Sequence, residues 1–134
     1  MKQRLSLVTL VVPNYDEAID FFTRALNFEF CEDISLGGGK RWVVVRPSGG
    51  IGSGLLLARA DGQAQAARIG DQTGGRVFLF LETDDFEREH ARMTAGGVWF
   101  VEAPRREAYG MVAVFEDLWG NRWDLIQPKA IQPK

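Results

Sequence analysis

A single cysteine, Cys31, and a single histidine, His90, set the first limits on this 134-residue chain. One cysteine excludes an intramolecular disulfide and any cysteine cluster for zinc or iron–sulfur, and it fits a reducing compartment. One histidine leaves a Ser-His-Asp arrangement dependent on His90 as its base. Charge of one sign is also scarce: 16 cations stand against 18 acids, a formal net charge of -2, with no long block of either. A broad phosphate-binding face, and hence nucleic acid, is not expected. No apolar run approaches the roughly 18 residues of a membrane span. The opening MKQRLSLVTLVV has two cations and a short apolar run, but that run alternates with Ser and Thr and reaches Pro13 without a small-residue cleavage site. It reads as a first strand, and the protein as cytoplasmic.

The most informative feature present is internal repetition at a shift of 70 residues. Leu7 to Val12 leads into Asn14-Tyr15-Asp16-Glu17, and Val77 to Leu81 leads into Asp84-Asp85-Phe86-Glu87. Each has the form cap-x-x-Glu, in which the cap side chain accepts from free N–H groups of a helix and the Glu reaches back. A helix over about 15 to 26 is marked by Ala18, Phe21, Phe22, Ala25 and Leu26 on one stripe. A second, over about 85 to 95, groups Phe86, His90 and Met93 before the stop Gly96-Gly97. Aromatic-rich extended stretches follow, Phe28 to Phe30 and Val98 to Phe100. Further strands are expected at Arg41 to Arg46, Gly54 to Ala58, Val112 to Phe115 and Arg122 to Ile126.

Each half is thus βαβββ. The chain reads as one α+β domain, with module one at about 5–58, a linker at about 59–75 and module two at about 76–127. A helical turn is expected near Gln63 to Arg68. Neither half alone buries its sheet and helix easily, so side-by-side sheets with helices on the outer face and a cup-shaped inner face are the expected solution.

The tandem pattern, closed by Asp117-Leu118-Trp119-Gly120-Asn121-Arg122-Trp123-Asp124-Leu125, resembles the vicinal oxygen chelate superfamily, the glyoxalase, bleomycin-resistance and extradiol dioxygenase group. That family's second module typically closes with an acid-proline-acid-glycine-asparagine turn and a strand bearing a glutamate. The likeness covers about residues 5 to 127. It implies the fold; the group spans lyases, dioxygenases, epimerases, thiol transferases and antibiotic-sequestering proteins, so it does not choose the reaction. Metal-dependent members take His, Gln or Glu ligands from the first and last strands of each module. The matching positions here are Leu7, Leu55 or Leu56, Val77 or Phe78, and Asp124. Three protein ligands are the usual minimum for a catalytic metal, so the resemblance implies the scaffold without the metal: no metal ligands and no cofactor are expected.

His90 is expected in a helix-packing or surface role, and Cys31 to be a buried, inert thiol. The run Ser48 to Gly54 resembles a phosphate cradle, but a strand rather than a helix follows it, so a flexible hairpin connection is expected. Gly37-Gly38-Gly39 reads as a mobile hairpin tip able to act as a lid. Polar groups able to meet a ligand concentrate in Glu102 to Gly110, which looks like the family's rim loop. Arg105 or Arg106 could pair with a carboxylate, and Glu107 and Tyr109 could hold a hydroxyl or amine; a solvated charged hairpin is the competing reading. Trp42, Phe78, Trp99 and Trp123 could line an apolar wall or fill core. Asp124 and Arg122 share one strand face and Trp123 and Leu125 the other, so an inward Asp124 puts Trp123 under a helix.

The expected ligand-binding set is therefore Trp42, Phe78, Arg105, Glu107, Tyr109 and Asp124. The function expected is metal-independent binding of a small organic molecule, an organic acid or aromatic compound. The alternative is a lyase or dioxygenase-type enzyme using Asp124 with Glu107 or Glu116 as acid–base groups. A homodimer is expected, since such modules leave sheet edges exposed and relatives commonly pair through them.

Overall fold

The computed structural model describes residues 1–129, which divide into two compact units, the second beginning at Thr73. The first contains β1 (Leu7–Val12), α1 (Tyr15–Asp20), a wider π-type turn (Phe21–Ala25), β2 (Glu29–Gly37), β3 (Lys40–Arg46), β4 (Gly54–Arg59) and a one-turn helix, α2 (Gln63–Ala66). Its sheet runs β1-β4-β3-β2, with β1 and β4 parallel and the other neighbours antiparallel. Asn14 starts α1 as expected, its side-chain oxygen accepting from the Glu17 N–H at 3.0 Å. Leu10, Val12, Ala18, Phe22, Val43, Val45 and Leu57 are fully enclosed and form the core between helix and sheet. Phe22 meets Phe21 edge-on and Phe28 at a tilt, each at 5.3 Å between centroids. The segment after β4 stays with this unit: Gln72 Nε2 donates to the Val11 carbonyl at 3.1 Å.

The second unit contains β5 (Leu79–Glu82), α3 (Phe86–Ala95), β6 (Trp99–Phe100), β7 (Arg105–Glu107), β8 (Gly110–Glu116) and β9 (Arg122–Pro128). Its sheet runs β5-β9-β8-β6, with β7 also on β8 and β5 parallel to β9. Both sheets repeat one plan, in which the first strand of the unit lies parallel to its last. Helix α3 ends where Gly96-Gly97 predicts: Val98 N–H reaches the Met93 carbonyl and Gly97 N–H the Thr94 carbonyl, with Gly97 at φ 91°. Phe86, Met93, Ala113, Phe115, Trp123 and Leu125 make its core.

Two expectations need correction. The cap of α3 is Asp85, not Asp84: its carboxylate accepts from Arg88 N–H at 3.3 Å. The cap's own N–H donates to Thr83 Oγ1 at 3.1 Å in place of the expected Glu, and Gln127 of β9 accepts from Phe86 N–H and donates to the Asp84 carbonyl. The helix start thus lies one residue later than expected, and the spacing of the caps, Asn14 to Asp85, is 71. Cys31 is exposed, not buried. It lies on β2, the edge strand of its sheet, at a register irregularity between Phe30 and Glu32, and every residue of β2 is exposed within the chain.

Candidate functional site

Strand alternation decides what each sheet presents opposite its helix. In the first unit Leu10 and Val12 face the helix, leaving Thr9 and Val11 of β1 on the other side. With Leu56 and Ala58 of β4, Trp42 of β3 and Leu36 of β2, they form the apolar floor and wall of a cavity of about 850 Å³. That volume lies within the range of small-molecule sites, roughly 300 to 1,000 Å³. Trp42 is fixed in place by its indole N–H, which donates to Glu32 Oε2 at 2.6 Å across the β2–β3 pair. The hairpin tip contributes Gly38, and polar groups enter at one end: Lys40, Arg41, Arg59, Asp61 and Gln65 beside the Tyr15 ring.

The two arginines there have different partners. Arg41 donates to Asp33 through both Nε and Nη2, at 3.0 and 2.6 Å, and to Asp16 through Nη1 at 2.9 Å. These bonds, Asp33 first and then Asp16, push the guanidinium pKa further up, and the same bond to Arg41 lowers that of Asp33. The Arg41 backbone N–H also donates to the Tyr15 hydroxyl oxygen at 3.1 Å, so this end of the cavity is locked to the start of α1. Arg59 has no ion pair among the described residues; its guanidinium lies over the Tyr15 ring, 5.3 Å from the centroid, with Arg41 5.0 Å from the same ring. Sequence spacing does not reveal this cluster, because Tyr15, Lys40 and Arg59 belong to three separate elements.

In the second unit, the face of the sheet opposite α3 carries Asp124 at the centre of β9, with Val114 as its cross-strand neighbour and Phe80 beside it on β5. Asp124 is 6% exposed, and its Oδ1 has no hydrogen-bond partner. Burial raises its pKa; the Arg105 charge pulls the other way and the Glu102 charge adds to the rise. Trp123 lies on the opposite face, 2% exposed and stacked on Phe115 at 5.7 Å, which continues through Phe100 to His90 of α3. His90 therefore packs between Phe86 and Phe100 on the helix side, its Nε2 buried without a partner.

The rim segment is a charged hairpin, β7 against the start of β8. Arg105 pairs with Glu102 and, at 2.7 Å, with Glu107, and Glu107 first, then Glu102 and Tyr109, raise its pKa. The structure thus places Arg105, Glu107 and Tyr109 together, with Asp124 in electrostatic reach of Arg105. A ligand carboxylate at Arg105 would have to displace a protein carboxylate. Arg106 is exposed on the same strand, Phe78 is half-buried just before β5, and Trp42 belongs to the first unit's cavity. Trp99 is 62% exposed and lines no core.

The donor set does not fit a transition metal. The family's ligand positions in the first unit are Leu7 and, by strand face, Leu56; in the second, with the caps 71 apart, Phe78 pairs with the position of Leu7. All three are hydrocarbon, and Asp124 alone carries a donor. Among the described residues no three of His, Cys, Asp and Glu come together as a metal-holding group.

The two units repeat one βαβββ plan, with the short strand β7 added in the second, and each has a helix on one face of its sheet and a polar or cavity-forming face opposite. The chain matches the Glyoxalase/Bleomycin resistance protein/Dioxygenase superfamily over residues 4–125 and belongs to that family. An uncharacterized protein of Shewanella frigidimarina (strain NCIMB 400) is 54% identical to it over 134 residues, 99% of each chain. Among solved structures, UcmS2 is 30% identical with a TM-score of 0.80, covering 94% of this chain and 98% of its own. TnmS3, an antibiotic binding protein from Streptomyces sp. CB03234, is 27% identical with a TM-score of 0.76, covering 96% and 98%. Among the described residues no helix is long and apolar enough to cross a membrane.

Proposed function

We propose that this protein binds a small organic molecule without chemistry at a transition metal, acting as a sequestration or sensing protein. The observation that carries the reading is the cavity of about 850 Å³ on the first unit, walled by Trp42, Leu36, Leu56, Val11 and Ala58 and polar at one end. The hydrocarbon side chains at the family's ligand positions support it, as does the likeness to an antibiotic binding protein. In the second unit taken by itself, Phe78, Arg105, Glu107, Tyr109 and Asp124 are proposed as a ligand-binding set. The single Cys31 supports a reducing, cytoplasmic compartment. The exposed edge strand β2, bearing Phe30, Ile34 and Leu36, supports a homodimer.

The test is a thermal-shift screen of aromatic acids, thiol conjugates and aromatic drugs, repeated on Ala58→Trp, which fills the cavity. Hits that stabilise the parent protein and lose their effect in a folded Ala58→Trp variant support the reading. Hits that survive the filling place binding elsewhere and count against it.

One observation favours a second reading, an enzyme of lyase or dioxygenase type: Asp124 is a buried carboxyl on the sheet face opposite the helix, its Oδ1 without a hydrogen-bond partner among the described residues and its pKa raised by burial. Turnover of a bound compound that stops in Asp124→Asn while its binding persists would establish that alternative.

A further inference from the structure

The polar end of the cavity in the first unit carries charge the protein leaves unmatched. Its lining holds three cations, Lys40, Arg41 and Arg59, and one carboxylate, Asp61. Arg41 is matched by Asp33 and Asp16. Neither Lys40 nor Arg59 has a carboxylate partner among the described residues.

Arg59 is also held in position. Its guanidinium rests over the Tyr15 ring, whose hydroxyl is fixed by the Arg41 N–H. Its Nη2 reaches the β2–β3 hairpin tip so closely that a Cβ on Gly39 would lie 3.3 Å from it. A planar cation placed this way has lost much of its side-chain freedom before a ligand arrives, and its fork of N–H donors matches a carboxylate. The same cavity is lined by the apolar side chains of Trp42, Leu36 and Leu56.

We infer that the cavity takes an aromatic monoanion, its ring against Trp42 and Leu56 and its carboxylate on Arg59, with Lys40 as the second cation. This rests on the small-molecule reading of the same cavity and adds the ligand's charge to it. Arg41, already doubly paired, is a positioning residue that holds Tyr15 and the hairpin.

The experiment compares three probes of one shape by calorimetry: 2-naphthoate, 2-naphthylmethanol and 2-naphthylmethylammonium. The expected order is naphthoate first, at least tenfold tighter than the alcohol, with the ammonium weakest. Arg59→Gln should weaken naphthoate at least tenfold and leave the alcohol within twofold, while Arg59→Lys recovers part of the loss. Raising salt should weaken naphthoate more than the alcohol. Equal affinity of naphthoate and alcohol would overturn the charge assignment while leaving the binding reading intact. Naphthoate binding that is insensitive to Arg59→Gln would overturn the role of Arg59. Failure of all three probes to bind, with Ala58→Trp and the parent protein indistinguishable across the wider screen, would overturn both.

Discussion

The indole N–H of Trp123 donates to Asp117 Oδ2 at 3.1 Å, joining the last turn of the chain to the core of the second unit. The same carboxylate accepts from the backbone N–H groups of Trp119 and Asn121 and from Asn121 Nδ2. Burial raises the Asp117 pKa, and these four donors partly offset the rise. Asp117→Ala should therefore strand several buried donors and cost about 3 to 5 kcal/mol, a fall in Tm on the order of 10 °C. Asp117→Asn, which keeps one acceptor oxygen, should lose less. Calorimetric melting of the two variants checks the order, and equal losses would show that the hydrogen bonds do not govern this turn.

Asp124 should behave in the opposite sense. Its folded-state pKa is raised, by burial first, so folding favours its protonated form. The stability this gives is fully present below the unfolded-state value and is lost as pH rises through the folded value. At pH 7 the ionised Asp124 is a burden, and Asp124→Asn should raise Tm. The gap should close as pH falls below about 4, near the unfolded value. Adding Arg105→Ala removes a nearby charge that favours ionisation, so it should widen the gap at neutral pH and extend its growth to higher pH, with the closing point unchanged. Melting curves from pH 3.5 to 8 on the four proteins would show it; a gap independent of pH would mean that the shift in Asp124 is absent.

Gly110 has no room for a side chain. A Cβ there would lie 2.2 Å from the Gln127 carbonyl oxygen and 2.9 Å from Pro128 Cα, at φ 149°. Both obstacles are backbone of β9, so Gly110→Ala should cost about 3 kcal/mol or more and separate the ends of β8 and β9. Gly50→Ala meets nothing within 4 Å and carries only the strain of φ 67°, about 1 to 2 kcal/mol. Comparable melting losses for the two would contradict the close approach at β8.

Metal removal should be silent. With Leu7, Leu56 and Phe78 at the family's ligand positions, purified protein should contain no stoichiometric zinc, nickel or iron, and chelator should leave Tm unchanged. One equivalent of a transition metal by elemental analysis, lost in Asp124→Asn, would reverse this and favour the enzyme reading.

Assembly follows from the edge strand. Light scattering at micromolar concentration should give twice the mass of one chain, and Ile34→Lys with Leu36→Lys should shift it toward one. A monomer mass independent of concentration would count against the homodimer.

The sequence by itself determined the two βαβββ units. Caps at Asn14 and near Asp85, the apolar stripe of the first helix, the Gly96-Gly97 stop and the two-residue alternation of the strands are local signals, written within a few residues of where they act. The same locality put Trp123 beneath α3 and Asp124 on the other face. What only the tertiary structure decided depended on partners distant in sequence. The cap of α3 lies one residue later than its local signal, with Gln127 of β9 bonded to the first turn, and β2 at the sheet edge has Cys31 exposed. Arg105, a free anchor by composition, is matched by Glu102 and Glu107, whereas Arg59, unremarkable as the last residue of a strand, lies over Tyr15 with no ion-pair partner among the described residues. Charge is counted along the chain, but pairing is settled in space, and the pairing decides which cation remains for a ligand.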